Sequence, residues 1–186
     1  MSHEIEVKLK LDVAALERAG IRVEVVLPRH FEENWLLDSA LRQLGEKFSI
    51  LRVRAVNGSG FLTYKERPGS DAPASQFKLR IEIETEIGDP EKALVIFERL
   101  GFKKWFHYQK YRTVYRVILP DEKELHLMAD ETPLGNFLEL EGEEAAIAGA
   151  VKLLGLNPAD YILDSYLALQ IAHCQQQGKS LEDMVF

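Results

Sequence analysis

The sequence predicts an α+β protein: a closed or nearly closed antiparallel β-barrel, charged inside, with amphipathic helices packed on its outer face. Three observations predict it. Strand-like segments alternate strictly between charged and aliphatic residues. Their polar positions are almost all Lys, Arg, Asp or Glu, with few Ser, Thr, Asn or Gln. The helical segments carry apolar stripes that need aliphatic surface to cover. If the helices take the aliphatic strand faces, the charged faces look toward one another, and a barrel arranges them so. Such an interior must be wet and rich in ions, because a bare buried charge costs several kcal/mol.

The elements follow in order. Residues 4–11 alternate as a strand, with Glu4, Glu6, Lys8 and Lys10 on one face and Ile5, Val7, Leu9 and Leu11 on the other. Asp12 caps a short helix that Gly20 ends. Residues 21–45 carry no clear period; Val23, Val25 and Val26 suggest a strand, and 36–44 a helical turn. Residues 48–56 and 61–67 alternate around Asn57-Gly58-Ser59-Gly60, which predicts a hairpin. A polar loop covers 68–75, and 77–87 is the longest alternating strand. Asp89 then caps a helix with Pro90 at its first position, and Gly101 ends it. Residues 106–119, 124–130 and 136–141 read as strands, 143–154 as a helix, and 158–177 as a second helix after an Asn157 cap. The strand-then-helix unit at 4–20 recurs faintly at 82–101.

The 186 residues make one domain, with 23 Lys and Arg against 30 Asp and Glu, a net charge of −7. That balance argues against a nucleic-acid polymer as partner. The single cysteine, Cys174, excludes an internal disulfide and a multi-cysteine metal site. No apolar run approaches the ~20 residues of a bilayer span, and the N-terminus lacks a signal-peptide profile. The expectation is a cytoplasmic protein without a membrane partner. The C-terminal helices are packing elements, with a homodimer surface as a further expectation.

The charged faces state the chemistry. Lys8, Arg52, Arg54, Lys65, Arg80, Lys110 and Arg112 supply seven cations, too many for one phosphate and suited to a polyphosphate chain. Glu4, Glu6, Glu82, Glu84, Glu139 and Glu141 supply hard oxygen ligands of the kind that hold Mg²⁺ or Mn²⁺ against phosphate oxygens. Trp35 and Trp105 read as packing residues, and His30, His107 and His126, with no ligand spacing between them, as surface or core residues. Tyr166 is open between closing the barrel and an amphipathic helix contact.

Glu4-Ile5-Glu6-Val7-Lys8 resembles the ExExK signature of CYTH domains, the triphosphate tunnel metalloenzymes. That family includes class IV adenylyl cyclases, thiamine triphosphatases and inorganic triphosphatases. The resemblance continues in order through Leu51-Arg52-Val53-Arg54, Leu62-Thr63-Tyr64-Lys65, Arg80-Ile81-Glu82-Ile83-Glu84, Lys110-Tyr111-Arg112, Asp130 before Pro133-Leu134-Gly135-Asn136-Phe137, Leu138-Glu139-Leu140-Glu141 and Ser165-Tyr166-Leu167. It implies an eight-stranded antiparallel tunnel with the active site in its lumen. Glu4, Glu6, Asp130, Glu139 and Glu141 would hold or orient the metal. Lys8, Arg52, Arg54, Lys65, Arg80, Lys110 and Arg112 would bind the triphosphate, and Glu82 and Glu84 would bind a second metal or orient their basic neighbours. Lys8, Glu4 and Glu6 are the expected catalytic set. The leading expectation is a Mg²⁺- or Mn²⁺-dependent triphosphatase acting on a triphosphate-containing small molecule. A class IV adenylyl cyclase and a non-catalytic polyphosphate or nucleotide sensor are the alternatives.

Overall fold

The computed structural model describes residues 2–69 and 74–186. Eight strands close into an antiparallel barrel: β1 (Ser2–Leu9), β2 (Arg22–Ser39), β3 (Ile50–Val56), β4 (Ser59–Glu66), β5 (Lys78–Ile87), β6 (Phe102–Ile118), β7 (Glu124–Thr132) and β8 (Gly135–Glu141). Around the ring the order is β1-β5-β4-β3-β2-β6-β7-β8. The helices are α1 (Val13–Arg18), α2 (Gln43–Glu46), α3 (Pro90–Arg99), α4 (Glu144–Leu153) and α5 (Tyr166–Gln176). No helix among the described residues is long and apolar enough to cross a membrane.

The short-range signals account for most boundaries. Asp12 accepts from the Ala15 amide and Asp89 from the Lys92 amide, so both helix caps form. Asn57 and Gly58 both take positive φ, 49° and 85°, the twist a two-residue hairpin needs. The aliphatic strand faces point outward, as expected. Val7, Leu9, Leu127, Leu138 and Leu140 pack beneath Ile147, Ala150 and Val151 of α4 and Leu16 of α1. Val53 packs with Leu94 of α3 and Leu37 of β2.

Three expectations change. The unpatterned stretch 21–45 holds β2, the longest strand, broken by register shifts between Val25 and Leu27, Leu27 and His30, and Leu36 and Leu37. Of the helical turn expected at 36–44, the helix forms only at α2, residues 43–46; Leu36–Ser39 continue β2. The single helix expected over 158–177 is two pieces. Asn157 caps a 3₁₀ turn over Pro158–Asp160 with a reciprocal bond from Asp160, the chain then extends, and α5 starts at its own cap, Ser165. Of the polar loop expected over 68–75, residues 70–73 lie outside the described residues.

The extended link has a purpose in the fold. Ile162 exchanges both backbone hydrogen bonds with Lys8, 3.3 and 2.9 Å, filling the place beside β1 where β5 has ended. From there Tyr166 enters one end of the barrel and joins Leu36, Phe106, Tyr108, Phe137 and Met184 in an apolar plug.

Candidate active site

Cross-strand register brings the charges together. Glu6 lies opposite Lys78 on β5 and Glu141 on β8, and Lys8 lies opposite Glu139. Lys65 faces Glu82, and Thr63 faces Arg52 on one side and Glu84 on the other. Lys110 faces Glu32, and Arg112 faces Asp130. The alternation is therefore in phase around the ring, and one cavity of about 240 Å³ receives it. Glu4, Glu6, Lys8, Arg52, Arg54, Lys65, Glu82, Glu84, Lys110, Arg112, Glu139 and Glu141 all line this cavity. Two expected residues do not. Asp130 lies behind the wall, fully buried, and Arg80 turns its guanidinium back to the Leu79 carbonyl at 3.1 Å.

One side of the lumen is acidic. The Lys65 ammonium donates to both oxygens of Glu4 at 2.6 Å and lies 2.7 Å from Glu82. Lys78 holds Glu6 at 2.5 Å. Among the described residues no side chain hydrogen-bonds or ion-pairs with Glu141. Burial, reinforced by the neighbouring Glu6 and Glu82 and only partly offset by Lys65, pushes the Glu4 carboxyl up to about 7. Burial and the same two neighbours raise Glu141 as well. Glu6 moves the other way. Burial would raise it, but Lys78, Lys8 and Lys65 outweigh burial and the Glu139 charge.

The opposite side is basic. Arg52 donates to the Thr63 hydroxyl at 3.1 Å, and Nη2 of Arg54 is shared between both oxygens of Glu84 at 3.1 and 3.2 Å. Burial and the adjacent Arg52 depress Arg54, against the pull of Glu32 and Glu84. Arg112 forks onto Asp130 with two bonds of 2.6 Å and reaches Glu139. Lys110 lies 2.9 Å from Asp130 and 3.4 Å from Glu32. Lys8, at 2.9 Å from Glu139, bridges the two sides. Burial opposes its charge, yet Glu139 and Glu6 raise it above the ordinary lysine value.

The site contains residues that the sequence reading did not assign to it. Glu32 is 2 % exposed and carries ion pairs to Lys110, Arg54 and His30. His30 donates Nδ1–H to the Pro28 carbonyl at 2.8 Å and turns Nε2 to Glu32 at 3.4 Å. The Glu32 contact, against the effect of burial, raises its pKa. Lys78 stood on a charged face in the sequence, and its partner Glu6 makes it part of the lumen. Trp35 and Trp105 lie off the lumen: Trp35 stacks on His107, and Arg42 covers Trp105 at 3.2 Å.

The donor set fits a hard divalent cation. Glu4, Glu6, Glu82, Glu139 and Glu141 offer carboxylate oxygens on adjacent strands, and burial beside other carboxylates raises both Glu4 and Glu141. Among the described residues no three acidic or imidazole groups already stand in ligating geometry; lysine ammoniums hold four of the five carboxylates instead.

A sequence profile of the CYTH domain matches residues 2–163. A protein of Methanocaldococcus jannaschii named "Putative adenylate cyclase" is 31% identical over 183 residues, covering 90% of this chain and 98% of its own. The PH1819 protein of Pyrococcus horikoshii superposes with a TM-score of 0.64 at 28% identity, covering 91% of this chain and 99% of its own. A Hippeastrum protein, described as a "putative adenylyl cyclase" with a dominant triphosphatase activity, shares the fold with a TM-score of 0.59 at 22% identity, covering 97% of this chain and 98% of its own. The ring of in-phase charges and the match along nearly the whole chain agree: this chain belongs to the CYTH domain family.

Proposed function

We propose that the chain is a divalent-metal-dependent triphosphatase that takes the triphosphate of a small molecule into the barrel lumen. One observation carries the reading. A single cavity is lined by the carboxylates of Glu4, Glu6, Glu82 and Glu141 on one side and by the cations of Arg52, Arg54, Lys110 and Arg112 on the other. The first can take up positive charge and the second negative charge. A polyphosphate bearing a divalent cation supplies both at once.

Arg52, Arg54, Lys110 and Arg112 would hold the phosphate oxygens, the guanidiniums as forks and the lysine as a point charge. Lys8 would add its ammonium where the two sides meet. Glu4, Glu6, Glu139 and Glu141 would hold the cation, with Glu82 and Glu84 orienting Lys65, Arg52 and Arg54. Mg²⁺ or Mn²⁺ bound there would neutralise charge between phosphates and polarise phosphorus. Asp130, saturated by Arg112, Lys110 and Tyr166, would orient cations and not ligate metal. Arg80 would enter the site only by releasing the Leu79 carbonyl.

The name of the Methanocaldococcus relative favours a second reading, cyclisation of ATP to cyclic AMP and pyrophosphate. Incubation with tripolyphosphate, thiamine triphosphate and ATP, each with Mg²⁺ or Mn²⁺, separates the two. Metal-dependent release of orthophosphate is the expected result. Cyclic AMP and pyrophosphate from ATP would install the cyclase. No product from any of the three would remove both.

A further inference from the structure

We propose that Tyr166 is a positioning residue of the phosphate-binding side, acting through Asp130 on Lys110 and Arg112; this rests on the triphosphate reading above. Its hydroxyl donates to Asp130 Oδ2 at 2.7 Å. That same oxygen accepts from Lys110 at 2.9 Å and Arg112 at 2.6 Å, while Oδ1 accepts from Arg112 Nε at 2.6 Å. Asp130 is thus the hub that sets two cations at once, and it is fully buried.

Two cations compete for the lone pairs of Oδ2, and the Arg112 fork already sets the carboxylate plane. A neutral O–H adds a third bond at that oxygen, and so a fixed place for it, without adding a third positive charge. Tyrosine suits the place because it stays un-ionised: burial, with Asp130 and Glu139 nearby, raises its phenol well above the ordinary value. The ring is itself wedged, with Tyr108 at 5.9 Å and Phe137 at 5.8 Å between centroids. Its face meets the ammoniums of Lys8 at 4.7 Å and Lys110 at 5.4 Å.

The segment leading to Tyr166 is fastened to the same machinery. Ile162 exchanges backbone hydrogen bonds with Lys8, and the Asp164 carbonyl accepts from the Lys8 ammonium at 3.2 Å. Residues 162–166 therefore touch Lys8 directly, and reach Lys110 and Arg112 through one carboxylate. The apolar plug explains why an aromatic ring stands here. It does not require a hydroxyl aimed at Asp130.

Tyr166→Phe keeps the ring and removes the hydroxyl. Calorimetric titration of wild type and variant with tripolyphosphate in chelator, where the metal-dependent reaction cannot run, is the test, with melting temperatures measured alongside. The expected result is affinity weaker by roughly three- to tenfold, the scale of one ordinary hydrogen bond felt through Asp130, at a melting temperature within about 2 °C of wild type. In an Asp130→Asn background the same change should add less than about twofold, since the route through Asp130 is already altered. Equal affinity of Tyr166→Phe and wild type overturns the proposal. A full additional loss in the Asp130→Asn background overturns the route through Asp130. If wild type itself binds no tripolyphosphate, the reading of the lumen fails and takes the proposal with it.

Discussion

The two sides of the lumen are built from different strands of one ring, with the same kind of alternation, and they balance charge differently. On the β1, β5 and β8 side, carboxylates outnumber the lysines that reach them: Lys65 lies between Glu4 and Glu82, Lys78 holds Glu6, and among the described residues Glu141 has no ion pair. On the β2, β3 and β6 side, guanidiniums crowd one another, and Glu32, Asp130 and Glu139 are anchored among them. Burial should raise Glu32 and Glu139, yet the surrounding cations hold both well below the usual range. Glu4, on the same strand as Lys8, the partner of Glu139, is pushed the other way. The lesson is that residue type does not assign a carboxylate its role; the local count of charges does. Glu139 is kept charged between Lys8 and Arg112, while Glu4 is held closer to its neutral form.

That contrast can be broken at several points, and the largest effect should come from an anchor. Arg112→Leu leaves Asp130 and Glu139 short of their strongest partner inside a buried network. It should cost about 3–5 kcal/mol of stability, read by denaturant unfolding; a loss under about 1 kcal/mol would mean the network is dispensable. Next comes the acidic side. Glu4→Gln and Glu6→Gln should each lower metal-dependent turnover by about a hundredfold and leave tripolyphosphate affinity within about threefold. A parallel collapse of binding would erase the division between the two sides.

The pH dependence of the metal-free protein sharpens the same contrast. Glu4 has a folded-state pKa of about 7 against an ordinary value of 4.5. A raised folded pKa gives stability that is complete below the unfolded pKa and lost as pH climbs through the folded one. Melting temperature in chelator should therefore fall by a few degrees between pH 5 and pH 8, and Glu4→Gln should flatten the fall. The depressed Glu6, Glu32 and Glu139 act in the opposite sense, but their contribution is lost only as pH drops below the ordinary carboxylate range. The smallest effect belongs outside. Trp105→Ala, beneath Arg42 on the outer face, should leave tripolyphosphate affinity within about twofold in calorimetry.

The parts of this molecule that could be read from sequence are those where charge and hydrophobicity alternate together. In β1, β3, β4 and β5 one face is aliphatic and the other charged, so the period of two is plain and the inward residues follow from it. β2 hides the same geometry. Its inward face, His30, Glu32, Asn34 and Leu36, and its outward face, Phe31, Glu33, Trp35 and Leu37, both mix polar and apolar residues. With no contrast between faces there is no visible period, and three register shifts blur it further. Glu32 went unassigned for that reason, although a polar residue at every second position from 30 to 34 was the available signal. The C-terminal error had another cause. Asn157 and Pro158 are a genuine helix-start pattern, but they open a 3₁₀ turn, and the pairing of Ile162 with Lys8 holds the following residues extended. A tertiary contact overrode a correct local signal.

The in-phase alternation has an engineering consequence. In a closed ring every strand is bounded by two partners, so no strand can shift by one position without turning its aliphatics into the bore and its charges under the helices. Insertions of one residue should be tolerated in the connections and rejected within the staves, except where β2 already absorbs a misfit at its bulges.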